Sequence, residues 1–146
     1  MITRPLGKKD YDHIVQVIDR WWGGPTAALA HPVFFYELGS CARVVEHEGT
    51  LVGFLFGLIT PGVPRTGYVH LVGIHPDYRR RGVGKVLYQA FEEECRAREC
   101  TRMKAVTTTG DDGSIAFHQA QGWDVANVED YAGPARPRVV FIKTLA

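Results

Sequence analysis

The residue types best suited to binding phosphate lie in one short stretch, residues 72–85. A run typical of a β-strand ends at Pro76, a basic loop follows, and Gly82 and Gly84 open a helical pattern. The start of a helix leaves backbone N–H groups unpaired and carries the positive end of the helix dipole. Glycines let a phosphate approach these N–H groups, so we expect this stretch to bind a phosphate or pyrophosphate. The cationic side chains of the loop are Arg79, Arg80, Arg81 and Lys85.

Two common phosphate-binding motifs do not fit this stretch. A Walker loop needs G-x-x-x-x-G-K-[ST], but Arg79 occupies the first glycine position and Val86 follows Lys85. A dinucleotide fingerprint needs a third glycine where Leu87 lies. A structural alternative stays open, in which the arginines are solvated loop charges and the glycines only shape a turn.

Hydrophobic periodicity predicts the elements that hold this loop in position. The predicted strands are residues 2–6, 42–47, 50–60, 68–74, 102–107, 123–128 and 138–145. Four helical stretches are predicted. The first is capped by Asp10 and ends at Trp22, and a weaker one over 27–38 is interrupted by His31-Pro32. The others follow Gly82 and cover 114–121. The helix after Gly82 connects two strands by a crossover, so at least one strand pair is parallel and the sheet is mixed. The chain is therefore predicted to form one α/β domain.

Composition excludes several classes of protein. The 146 residues carry 17 Lys+Arg against 16 Asp+Glu, a net charge of +1 that attracts neither nucleic acid nor acidic membranes. The longest apolar run, residues 51–59, is too short to cross a bilayer, and no signal peptide is visible. Neither H-x-x-x-H nor H-E-x-x-H occurs, so no metal site is expected. An odd set of cysteines without C-x-x-C spacing predicts free thiols in the cytoplasm, at Cys41, Cys95 and Cys100.

Two blocks of sequence resemble a known enzyme family. Arg79, Gly82 and Gly84 match the coenzyme-A signature of the GNAT N-acetyltransferases, [Q/R]-x-x-G-x-[G/A]. About 30 residues later, a second block resembles the family segment N-x-x-[A/S]-x-x-[F/L]-[Y/H]-x-x-x-G-[F/W] on the helix after the fifth strand. It reads Asp111-x-x-Ser114-x-x-Phe117-His118-x-x-x-Gly122-Trp123. The order of elements over nearly all of the chain is similar as well.

The resemblance implies a fold, a reaction and a cofactor site. It implies a single GNAT-like domain over residues 1–146, with about four helices flanking a mostly antiparallel sheet of about seven strands that is splayed at strand four. It implies direct transfer of acetyl from acetyl-CoA to a primary amine of a small molecule or peptide, in a ternary complex. The residues implied to bind coenzyme A are the main chain of Val72 and Ile74, the amides of Arg80, Arg81, Gly82, Val83, Gly84 and Lys85, then Arg79, Ser114 and Phe117.

The catalytic groups are less well defined. The family's usual proton donor to the departing thiolate is a tyrosine, and His118 occupies its position. Some members carry a glutamate base on the fourth strand, where Tyr68 lies here, and His70 is the neighbouring candidate base. Structural roles for both histidines, and a water-mediated route without a dedicated base, stay open. Weaker candidates for the base are Glu37, Glu46 and His47.

The acceptor site is expected between the first two helices and the last hairpin. Aromatic side chains suited to an apolar or cationic group are dense there, and we select Trp22, Tyr36 and Tyr131 as candidates. A core role is the alternative for Trp22 and the favoured interpretation for Trp21. Two other functions compete, namely a coenzyme-A-binding module without turnover and, less favoured, a nucleic-acid module. Homo-oligomers are common in the family, so we expect a homodimer.

Overall fold

A computed structural model describes residues 1–22 and 24–146 of the chain. In this part of the chain seven strands form one sheet in the order β1-β2-β3-β4-β5-β7-β6. The β4–β5 pair is parallel and the other described neighbours are antiparallel, which confirms the predicted mixed α/β fold. The strands are β1 (Ile2–Pro5), β2 (Arg43–His47), β3 (Thr50–Thr60), β4 (Thr66–Ile74), β5 (Arg102–Thr108), β6 (Asp124–Val128) and β7 (Arg138–Thr144). The α-helices are α1 (Lys8–Trp22), α2 (Val33–Tyr36), α3 (Val83–Ala97) and α4 (Asp112–Ala120).

The helices lie on both faces of the sheet. Successive strand residues point to opposite faces, and Phe54 and Leu55 accordingly belong to separate core clusters. One cluster packs under α3, where Leu87 and Phe91 are buried, and the other packs under α1. Gly57 allows α3 to approach closely, since a Cβ at this position would lie 2.8 Å from Phe91 Cζ. The fold is therefore a sheet between two helical layers.

The hairpin between β2 and β3 forms as the sequence predicts. His47 pairs with Thr50, and Glu48 and Gly49 form the two-residue turn with φ of 51° and 81°. Positive φ at both positions is the conformation that matches the twist of the flanking strands. The predicted bounds of β3 are confirmed.

The predicted N-cap of α1 was wrong. The helix begins at Lys8, and Asp10 lies within its first turn. From there the Asp10 carboxylate accepts the Gly7 N–H at 2.8 Å and also pairs with Arg4. A carboxylate at the third helical position satisfies the preceding N–H group, as the second half of a capping box does.

The weaker helical stretch predicted over 27–38 is interrupted at His31-Pro32 as expected, and its pieces are short helical turns. The segment forms a 3₁₀ turn at Ala27–Leu29, the single turn of α2, and a second 3₁₀ turn at Gly39–Cys41. Pro32 interrupts it, because proline disfavours helical geometry at the preceding residue. Pro32 itself is the N-cap of α2.

Two further sequence predictions concern single features of the chain. The three cysteines are free and buried, as expected. Within residues 1–22 and 24–146, no helix is long and apolar enough to span a membrane.

Candidate active site

A gap opens in the sheet between β4 and β5. The two strands pair only from Thr66–Arg102 to Val69–Ala105 in the described residues. Beyond that point β4 continues against β3, while β5 continues against β7. The β3–β4 register also shifts here, leaving His70 as the extra residue of a β-bulge. Bulges bend a strand and end its pairing, so this one accounts for the splay.

The main chain of β4 presents free hydrogen-bonding edges to this gap. The N–H of His75 donates to Val52 O at 2.8 Å, on the β3 side. Backbone groups of successive strand residues alternate in direction, so those of Gly73 also face β3. The backbone groups of Val72 and Ile74 therefore face the gap, where an extended ligand can pair with them.

The loop before α3 forms a groove of about 380 Å³ at the start of that helix. Arg80 and Gly82 have φ of 64° and 81°, which turns the chain sharply into the helix. The first helical amides have no intrahelical acceptor, and they point out of this end. The groove is lined by Ile74, Tyr78, Arg80, Gly82, Val83, Gly84, Lys85, Phe117 and Gln121.

The four cations of the loop divide into two pairs. Arg80 and Lys85 line the groove. The Arg79 guanidinium instead donates a hydrogen bond to Trp21 O in the last turn of α1, where a cation is favoured by the helix dipole. Arg81 lies over the Tyr78 ring, 5.1 Å from its centroid. The expectation that all four side chains lie at one anion is thus not met, because two have other partners.

The groove continues into the sheet gap. A trough of about 170 Å³ shares Ile74, Gly84 and Phe117 with the groove. An inner cavity of about 230 Å³ lies in the gap. The trough and the cavity share Val72, Tyr88, Ser114 and His118. The remaining residues of the cavity are Trp22, Val69, His70, Leu71, Ala105, Val106, Thr107, Asp111 and Phe141.

His118 lies at the junction of trough and cavity, but it is more buried than the sequence suggests. The residue is 4% exposed, and its ring stacks on Phe141 at 3.9 Å. Nδ1 lies 2.8 Å from Ser114 O and Nε2 lies 2.9 Å from Tyr88 Oη. Burial lowers the pKa of His118, against the opposing effects of the Ser114 carbonyl and Asp111.

Tyr88 is the site residue that the sequence analysis missed. It extends from α3 toward α4, and burial raises the pKa of its phenol well above the ordinary value. Its spacing could have identified it, because Tyr88 lies one helical turn after Gly84 and therefore on the same side of α3. Tyr88 is not part of the apolar stripe from which the helix was predicted, and it lies beside that stripe.

His70 faces the same cavity from β4. Its Nε2 lies 2.9 Å from Leu29 O, and its ring stacks on Phe34 with centroids 4.2 Å apart. A carbonyl only accepts, so Nε2 carries the proton and Nδ1 holds the lone pair in the neutral ring. Among the described residues Nδ1 has no hydrogen-bond partner.

The candidate acceptor residues are not all brought together. Trp22 lines the inner cavity. Tyr131 lies near Tyr68, and the Lys104 ammonium is 4.9 Å from its ring centroid. Burial, with a contribution from Tyr131, raises the pKa of Tyr68. Tyr36 is 61% exposed beside Phe35 and is not among the cavity residues.

No metal-binding cluster accompanies this site. Across the described residues, no group of three or more His, Cys, Asp or Glu side chains is arranged to hold a metal ion.

The weaker candidates for the catalytic base lie elsewhere. Glu37, Glu46 and His47 are not among the residues that line the inner cavity.

Comparison with known proteins identifies the class that this fold and site define. Residues 10–123 match the Acetyltransferase (GNAT) family, and the chain belongs to that family. It is 30% identical over 129 residues to YdhI of Bacillus subtilis (strain 168), an uncharacterized protein, covering 88% of this chain and 77% of that one. It is 30% identical over 76 residues, 52% of each chain, to an acetyltransferase of Yersinia pestis (strain Pestoides F).

The solved structures agree on the fold. The chain is similar to yncA of Salmonella typhimurium, whose structure was solved with acetyl-CoA, at 18% identity and a TM-score of 0.78. That alignment covers 99% of this chain and 94% of the other. This chain is a GNAT-type N-acetyltransferase.

Proposed function

We propose that residues 1–146 form one acetyltransferase domain that moves acetyl from acetyl-CoA to a primary amine of a small molecule or peptide. The amine attacks directly in a ternary complex. The observation that carries this proposal is the continuous path from the start of α3, through the trough, to the gap between β4 and β5. The free amides and cations at the start of α3 suit the pyrophosphate of acetyl-CoA, and the cavity in the sheet gap suits its thioester.

The coenzyme site follows this path. The amides from Arg80 to Lys85 bind the pyrophosphate, and Arg80 and Lys85 add charge. The Val72 and Ile74 backbone pairs with the pantetheine arm, while Ser114 and Phe117 line its other side. Gly84 supports this fit, because a Cβ there would lie 3.3 Å from Ile74 Cδ1 and 3.4 Å from Phe117, narrowing the trough.

The amine must lose a proton before it attacks, because only the neutral amine is nucleophilic. His70 Nδ1 is the acceptor for that proton, and its position on the cavity wall supports this role. Trp22 provides an aromatic surface at the same cavity, and Tyr131 with Lys104 borders the neighbouring face of the sheet. The acceptor therefore enters between α1 and the β6–β7 loop.

Thiol release from acetyl-CoA tests this function. We would assay polyamines, amino acids, aminoglycosides, peptides with free N-termini and lysine peptides. Amine-dependent release together with acetylated product supports the proposal. Absence of acetyl-CoA binding by calorimetry contradicts it.

Gly82→Asp tests the phosphate loop directly. A carboxylate at Gly82 would oppose the pyrophosphate, so we expect acetyl-CoA affinity to fall by at least about tenfold. Gly49→Asp is the matched control, because Gly49 has the same φ of 81° and equally open space but lies in the β2–β3 turn. Both variants carry the same backbone strain and charge. Equal affinities in the two variants would contradict the assignment.

We also propose that the chain forms a homodimer. The proposal rests on the frequency of homo-oligomers in the family and on the two edge strands of the sheet, β1 and β6. Light scattering at twice the chain mass of 16.3 kDa would support it, and the monomer mass would contradict it.

A further inference from the structure

Both ring nitrogens of His118 are already engaged. Nδ1 lies 2.8 Å from the Ser114 carbonyl, which only accepts, so Nδ1 carries the hydrogen of the neutral ring. Nε2 is then the acceptor, and the Tyr88 hydroxyl donates to it across 2.9 Å. With the ring stacked on Phe141, neither nitrogen is free to meet a departing sulfur.

The Tyr88 hydroxyl lies beside His118 at the same junction, but it keeps free acceptor capacity. Tyr88 lines the trough and the inner cavity at once, and it is 9% exposed. Its oxygen keeps lone pairs that the bond to His118 does not use. We propose that Tyr88 is the catalytic residue that exchanges protons with the reacting nitrogen and sulfur, and that His118 acts through it as a positioning residue and proton store. This inference rests on the proposed acetyl transfer.

Each proton in the proposed sequence has a defined origin and destination. As the amine nitrogen bonds to the thioester carbon, the carbonyl π pair moves to oxygen. The surplus proton on nitrogen then passes to Tyr88 Oη, while the hydroxyl proton of Tyr88 passes to His118 Nε2. The oxygen pair then re-forms the carbonyl as the C–S bond breaks and sulfur leaves with the bonding pair. Sulfur takes a proton from Tyr88, which recovers its own from His118. The net change is N–H and C–S bonds broken, C–N and S–H bonds formed, and both residues restored.

The surroundings of the pair suit this exchange. The titratable groups that line the inner cavity with it are Asp111 at the start of α4 and His70 on β4. The paired Glu92 and Lys143 lie on the other side of Tyr88. Phe141 on β7 and Trp123 before β6 present aromatic rings instead. Burial lowers the pKa of His118, so its ring is neutral at rest and returns a transferred proton readily. Burial raises the pKa of Tyr88, so the phenol keeps its own proton at rest.

Substitutions at the two residues test the relay. The assay uses the panel amine with the highest turnover on the wild type. We expect Tyr88→Phe and His118→Gln each to lower kcat about 10²-fold with the acetyl-CoA KM within about threefold of wild type. The double variant should be no slower than the slower single variant, because the two residues act as one unit. The glutamine side chain can still accept a hydrogen bond from the Tyr88 hydroxyl, but it cannot take up a proton. A loss of rate in His118→Gln therefore reports lost proton storage and not lost positioning of Tyr88.

Tyr11→Phe is the matched control for lost stability. It removes another buried tyrosine hydroxyl, which donates to Ala30 O at 2.7 Å on the opposite face of the sheet. We expect a comparable fall in Tm and an unchanged kcat. In ¹⁵N NMR spectra, wild-type His118 should carry its hydrogen on Nδ1, and Tyr88→Phe should shift the Nε2 resonance.

The outcomes separate the relay from the function on which it rests. Tyr88→Phe with kcat within threefold of wild type overturns the relay alone. Wild-type kcat in His118→Gln, with activity lost in Tyr88→Phe, overturns proton storage by His118. A wild type that acetylates no panel amine and binds no acetyl-CoA overturns the proposed function, and the relay with it.

Discussion

At the scale of single residues, His70 and His118 line the same cavity but differ in burial and hydrogen bonding. His118 is enclosed and bonded at both nitrogens, whereas His70 is half-buried and bonded at Nε2. Both line one cavity, on opposite sides of the sheet gap. The free Nδ1 suits His70 to deprotonate an incoming amine, and the enclosed ring suits His118 to exchange protons through Tyr88.

His70→Gln should flatten the acidic limb of the rate profile. An imidazole accepts a proton only when it is neutral, so a base at His70 adds to the fall in kcat/KM that protonation of the amine itself causes at low pH. Glutamine does not titrate, and we expect a flatter profile with a rate about tenfold lower at pH 8. His13→Gln, on the exposed side of α1, serves as the control. An unaltered acidic limb in His70→Gln would leave water as the proton acceptor.

At the scale of elements, the close packing of α3 on the sheet holds the loop before α3 in place. Gly57 on β3 faces Phe91 of α3, and Gly53 faces Val83, about two turns nearer the loop. Both positions lack room for a side chain, so the distance from helix to sheet is set where the loop begins. Gly53 and Gly57 on β3 thus set the position of α3, and with it the position of Gly82 and Gly84 at the start of that helix.

Gly57→Ala should destabilise the fold by this mechanism. The added Cβ would lie 2.8 Å from Phe91 Cζ and 2.9 Å from Tyr68 O, so the helix must shift. Overpacking of this kind costs about 1–3 kcal/mol, measurable by urea unfolding. Gly62→Ala is the control, since nothing lies within 4 Å of its added Cβ. Equal stability of the two variants would show that α3 is not packed against β3 as described.

At the scale of the whole molecule, Arg79 links the loop before α3 to α1. It donates a hydrogen bond to Trp21 O at the end of α1, and the next residue, Trp22, lines the inner cavity. The His75 ring packs on Trp21 at 5.4 Å, which reinforces the same connection. The two proposed binding sites are therefore joined by direct contacts.

Arg79→Ala and Arg80→Ala should have different effects despite their adjacent positions. Arg80 lines the phosphate groove, so its loss should weaken acetyl-CoA binding several-fold, more at low salt than at high salt. Arg79 binds α1 instead, so its loss should raise the amine KM and change acetyl-CoA affinity less than threefold. Calorimetry and steady-state kinetics distinguish the two. A larger loss of coenzyme affinity in Arg79→Ala would contradict the division of the four cations.

The sequence by itself determined the local features of this protein. Runs of apolar and β-branched residues defined the strands, Glu48-Gly49 the hairpin, and Gly82 the turn into α3. These features depend on residues close in the chain, whose backbone preferences and periodicity act directly. The stretch 27–38 is divided at His31-Pro32 as its sequence predicts, but only one 3₁₀ turn and one α-helical turn form there.

Only the tertiary structure decided how the site is connected. The Tyr88–His118 bond joins residues 30 apart in the chain, and the Arg79–Trp21 bond joins residues 58 apart. The gap at β4 likewise depends on a bulge relative to β3 and on the strand that β5 pairs with instead. Such contacts are fixed by how helices pack on the sheet, and residue type and spacing along the chain do not specify that packing.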